Sequence, residues 1–120
     1  MSNCVVNKKL LRKVLRYIKT HPKEWDQDIW GEKKPCGTAF CFAGHALAMA
    51  GAKLRWSKPD EDGWQELDAV RFPHRAYETN ISRAAQRVLG LTGDQAGYLF
   101  GGSNTLKEIE SIVSNILQES

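Results

Sequence analysis

Residues 39–52, AFCFAGHALAMAGA, contain no Asp, Glu, Lys or Arg. A helix built from such a run has no polar stripe to show to water, so it has to be surrounded on all sides by the rest of the chain. The run is too short to span a bilayer, which takes about 20 apolar residues. Its small residues, Ala39, Ala43, Gly44, Ala46, Ala48 and Ala50, would let neighbouring helices come close. Thr38 is a natural N-cap, because its oxygen can accept an amide proton from the first turn. Gly51 is a natural stop. The pattern therefore predicts a central helix over residues 39–50, entered through Gly37 and Thr38.

The chain has 120 residues, the size of a single domain over residues 1–120. Its 42% apolar content is that of a globular protein rather than a disordered one. No hydrophobic leader opens it, and three cysteines are an odd number for a disulfide framework. Both features lead us to expect free thiols in a reducing cytoplasm.

Around the central run the chain reads as helices. Val6, Leu10, Leu11, Val14, Leu15 and Ile18 recur at helical spacing, and His21-Pro22 ends that helix because the residue before proline avoids the helical region. A short second helix is expected from Lys23 to about Asp28, followed by a loop over residues 31–37. Residues 53–56 and 69–72 alternate weakly around a polar, turn-rich segment, which suggests a small hairpin or an irregular excursion. Ile81, Ala84, Ala85, Val88 and Leu89 return to helical spacing and close at Gly90. Thr92 to Gln95 and Thr105 to Glu108 both match capping boxes, in which the threonine oxygen and the Gln or Glu side chain each take a backbone proton. The sum is a mainly α protein: five to six helices bundled around the central apolar one, with a β-hairpin inserted at residues 53–72.

The stretch PCGTAFCFAGH, residues 35–45, admits four chemical readings. The favoured one is architectural: Gly37 permits a tight entry, Thr38 caps, Cys41 packs as a small hydrophobe and His45 is a core histidine with one satisfied nitrogen. The second is an anion site. Free amides at a helix start carry partial positive charge, and Lys33, Lys34, Cys36, Gly37, Thr38 and Phe40 would line it for a small anionic, nucleotide-like ligand. No glycine-rich phosphate signature accompanies it. The third is a thiol nucleophile, Cys41 with His45 or with His74 as base. The fourth is zinc held by Cys36, Cys41 and His45, a spacing of C-x4-C-x3-H that still lacks a fourth ligand.

The core Cys36-Gly37-Thr38-x-x-Cys41-x-Ala43-Gly44, with Trp25 before it and Leu89-Gly90-Leu91, Gln95-Ala96 and Leu99-Phe100 after it, resembles a group of small, uncharacterised proteins of actinobacteria and their bacteriophages. The resemblance covers most of the chain. It implies a phage or prophage origin and supplies no mechanism. Members of the group often carry tryptophan at the position of His45, which implies that this position serves neither metal binding nor catalysis.

Charge is unevenly placed. Six of the 17 basic residues, Lys8, Lys9, Arg12, Lys13, Arg16 and Lys19, lie on the first helix, and none of the 14 acids does, so the remainder is net acidic. These cations cover the half of the helix opposite its apolar residues. They are a solvated face, or a contact for an acidic segment, an acidic partner or nucleic acid. No aromatic residue interleaves them, which argues against nucleic acid. A membrane role is weaker still, since the apolar half is needed by the core. With no paired-carboxylate, metal or cofactor motif, we expect a protein that acts by binding a host protein or a small anionic ligand, countering host defence if phage-encoded.

Overall fold

The computed structural model describes residues 5–119. The fold is not mainly α. Five helices pack against a four-stranded antiparallel sheet of order β2-β1-β4-β3. The elements are α1 (Lys8–Thr20), β1 (Gly31–Lys34), β2 (Gly37–Phe40), α2 (Phe42–Met49), β3 (Lys53–Trp56), β4 (Gln65–Arg71), α3 (Ile81–Leu89), α4 (Gly93–Leu99) and α5 (Leu106–Glu119).

The helices begin and end for the local reasons expected. The Asn7 side chain accepts the Leu10 amide at 3.1 Å and starts α1, which stops at His21. Gly90 takes a left-handed φ of 70° behind α3, where a Cβ would also collide with the Val5 carbonyl oxygen. Both capping boxes form: Thr92 and Gln95 exchange bonds of 3.1 and 3.0 Å, and Thr105 and Glu108 exchange bonds of 3.2 and 2.8 Å. The expected second helix is only one 3-10 turn, Pro22–Glu24.

Two corrections concern the centre. Residues 31–40 are a hairpin rather than a loop and a helix start: Gly31 pairs with Phe40 and Lys34 with Gly37 across a turn at Pro35-Cys36. The central helix consequently begins three residues later than predicted, with Cys41 rather than Thr38 as its N-cap. The helix is buried as expected. Phe42, Ala43, Ala46 and Leu47 are fully excluded from solvent, and each large apolar side chain so buried stabilises the fold by about 1.5–3 kcal/mol. α1 and α3 flank it.

The hairpin foreseen over residues 53–72 is present as β3 and β4, and it carries a bulge. Arg55 pairs with Ala69 but Trp56 pairs with Leu67, so Asp68 is an extra residue on β4. Leu54, Trp56, Leu67 and Val70 thereby all face the helices and join the core. Lys53, Arg55, Ala69 and Arg71 face away from them. β1 continues the same two sides: Lys33 opposes Gln65, and Glu32 opposes Glu66.

Candidate functional site

Strand formation removes the helix start on which an anion site at residues 37–40 was read. Gly37 to Phe40 pair with β1, so only alternate amides point away from it, and none belongs to a helix end. The residues named for that site also separate. Alternation puts Lys33, Thr38 and Phe40 on the helix-facing side and Lys34 on the other. Lys33 lies 4.9 Å from the Trp56 ring centre and Lys34 4.4 Å from that of Trp64. Lys34, Cys36, Gly37 and Thr38 do share a pocket of about 280 Å3, but Glu24 and Glu32 line it too. Glu32 already neutralises Lys34 at 3.3 Å. A larger groove of about 620 Å3 lies between α4 and α5 and carries Asp94 and Glu119 but no cation.

Cys41 is a packing and capping group. Its sulfur accepts the Gly44 amide at 3.5 Å, and its S–H reaches the Trp30 carbonyl at 3.9 Å. Burial pushes its pKa up to about 11, overcoming the lowering effect of the Gly44, Ala43 and Cys41 amides. A thiol held protonated and covered is the opposite of an activated nucleophile. His45 is 4% exposed, and Nε2 donates to the Glu24 carbonyl at 2.7 Å. Its ring packs 5.4 Å from Tyr17 and 5.1 Å from Phe40. Burial lowers its pKa, against the raising effect of the Glu24 carbonyl, so the imidazole is neutral and fixed as a donor. His74 sits exposed in the turn after β4, at a left-handed φ of 65°. Cys36 is exposed on the β1–β2 turn while Cys41 is buried, so the zinc trio does not converge. Among the described residues no three His, Cys, Asp or Glu side chains gather as metal ligands.

Gln27 is a structural residue that sequence reasoning missed. It is 6% exposed, and its amide ties three segments together. Its oxygen accepts from Trp25 Nε1 at 2.9 Å and from the Phe42 amide at 3.2 Å, while its nitrogen donates to the Leu99 carbonyl at 3.0 Å. Nothing in its sequence neighbourhood distinguishes it from a surface glutamine.

The cationic face of α1 is present as read. Lys9, Arg12, Lys13 and Arg16 are exposed, and among the described residues none of them makes an ion pair. On that face, Lys19 is paired with Glu110 on α5 at 2.8 Å. The acidic segment that could have covered it is engaged elsewhere: Glu24 accepts the Tyr17 hydroxyl and Glu32 holds Lys34. Tyr17 is half-buried and stacked on His21 at 4.0 Å, so α1 offers no free aromatic ring. Among the described residues no helix is long and apolar enough to cross a membrane.

No protein-family model, curated protein or solved structure matches the chain.

Proposed function

We propose that this protein acts by binding, and that α1 is its contact for an acidic protein surface. Resemblance to phage proteins makes a host protein the natural partner. One observation carries the reading. Lys9, Arg12, Lys13 and Arg16 stand at i, i+3, i+4 and i+7, exposed and uncompensated by any ion pair among the described residues. That spacing aligns them in one stripe about 10 Å long. Maintaining four like charges side by side is unfavourable in isolation and becomes favourable against carboxylates. The lack of a free ring on α1 favours protein over single-stranded nucleic acid, which is held by stacking as much as by charge. The anion site read at residues 37–40 is less favoured, since those residues form a strand rather than a helix start. Chemistry at Cys41 is disfavoured by its burial and raised pKa.

The test is a fluorescence-anisotropy titration with a labelled poly-glutamate peptide and, separately, a short DNA duplex. We expect the peptide to bind, to weaken as salt rises, and to be lost in a K9E/R12E/K13E/R16E variant whose circular dichroism is unchanged. Tighter binding of the duplex would move the assignment to nucleic acid. Failure of both probes to bind would end the proposal.

A further inference from the structure

On the side of the sheet away from the helices, β3 and β4 bring three cations together. Lys53 and Arg71 are directly opposed across the two strands, a like-charge pairing that costs stability. Arg55 lies two residues along on the same side. Both guanidinium groups are drawn to one ring: the central carbons of Arg55 and Arg71 lie 5.0 and 5.3 Å from the centre of Tyr77. Ala69, between the two arginines on this side, is fully buried, so their stems and neighbours roof it over.

The cluster is short of acceptors. Asp68 takes Arg55 Nε at 2.9 Å, which leaves the terminal nitrogens of Arg55 free to donate elsewhere. Arg71 has no hydrogen-bond acceptor or carboxylate partner among the described residues, and its Nε is buried without a bond. Buried N–H groups are nearly always satisfied, and an orphan calls for a missing partner. Glu78, paired with Val70 next to Arg71 in the chain, is committed to Arg87.

We propose that Lys53, Arg55 and Arg71, arranged around Tyr77, form a binding site for a phosphate group. Two guanidinium forks and an ammonium supply planar and point-charge donors on one patch, the combination that suits a tetrahedral dianion. A single carboxylate would bring one charge to three cations. A phosphate would relieve the Lys53–Arg71 repulsion and accept from the terminal N–H groups of both arginines. A phosphate monoester of a small molecule carries the two charges this argument uses, whereas a nucleic-acid phosphodiester offers the same tetrahedral oxygens with one. The site is separate from the α1 stripe and does not rest on it.

The experiment follows the arginine Nε–H resonances by NMR, titrating inorganic phosphate at constant ionic strength against chloride, and then a single-stranded DNA oligonucleotide. We expect phosphate to shift the Arg71 Nε–H saturably and chloride to leave it in place. Lys53→Met is exposed and should fold; it is expected to melt higher without phosphate and to bind phosphate about tenfold more weakly, the loss of one charge-assisted donor. An oligonucleotide that shifts the same resonance identifies a phosphodiester source, and one that leaves it unmoved while phosphate shifts it identifies a small phosphorylated molecule. The K9E/R12E/K13E/R16E variant should retain the phosphate shift. An Arg71 resonance indifferent to both probes, or Lys53→Met binding phosphate as the parent does, would overturn the assignment.

Discussion

Gly44 gives the sharpest test of how the centre is assembled. A Cβ placed there would lie 2.0 Å from the Trp30 carbonyl oxygen and 2.8 and 2.9 Å from side-chain carbons of Phe40. The Phe40 ring can turn, but the carbonyl belongs to backbone that is pinned nearby. The Cys41 amide bonds Ile29 O at 3.0 Å, and the Cys41 sulfur reaches the same Trp30 oxygen. Gly44→Ala therefore forces α2 away from the segment that feeds β1. Overpacking of this kind costs about 1–3 kcal/mol, and a collision with fixed backbone belongs at the top of that range. Alanine returns about 1 kcal/mol of helix propensity. The net loss is about 2 kcal/mol, which for a domain of this size lowers the melting temperature by about 6–10 °C. Thermal unfolding followed by circular dichroism at 222 nm measures it. An unchanged or raised melting temperature would refute the close seating of α2 under Trp30. It would also remove the physical reason for glycine at the end of the C-G-T-x-x-C-x-A-G stretch.

Three further outcomes are expected. Cys36 should alkylate in the folded protein while Cys41 stays protected until denaturant is added, as peptide mass mapping would show; the raised Cys41 pKa also means that the stability contributed by this thiol is constant below pH 9 and declines as pH climbs from 9 toward about 11, because the unfolded thiol ionises first. His45 has a folded pKa depressed below its ordinary 6.5, so the stability it contributes is present above that pH and is lost as pH falls through it. A His45→Gln variant should flatten the slope of unfolding free energy just below pH 6.5, with the later loss from Glu78, whose pKa is lowered chiefly by its bond to Arg87, left in place below pH 4.5. Thr92→Ala removes half of a formed capping box and should cost about 1 kcal/mol, read as a lower urea midpoint with an unchanged slope.

What could be read from the sequence was local. Helix ends defined by Pro22, Gly90, Thr92 and Thr105 depend on neighbours within four residues, and the structure places all of them as expected. The β3–β4 hairpin announced itself through alternation on both sides of a polar turn. The β1–β2 hairpin did not, because Gly31–Lys34 is one glycine and three charged residues, with no apolar alternation to detect. Its partner β4 lies more than thirty residues on, so the pairing that holds it is invisible locally. Thr38 misled because threonine is the commoner cap. The chain uses it in β2 and lets a cysteine sulfur take the capping bond instead. At the candidate sites, the α1 stripe was evident from spacing alone. The convergence of Arg55 and Arg71 on Tyr77 was not, because it joins two strands and the segment after β4, which only the folded hairpin brings together.

That bulge has a consequence for how the protein can evolve. Asp68 is an exposed residue that takes Arg55 Nε, and it also works as a phase shifter that lets Leu67 and Val70, three positions apart, face the same side. Excise it, and the ladder closes into a regular one with every facing unchanged: Leu67 stays opposite Trp56 against the helices and Glu66 stays on the far side. A one-codon deletion at Asp68 should therefore be tolerated, whereas a deletion at Glu66 would turn the start of β4 over and take Gln65 off the side it shares with Lys33.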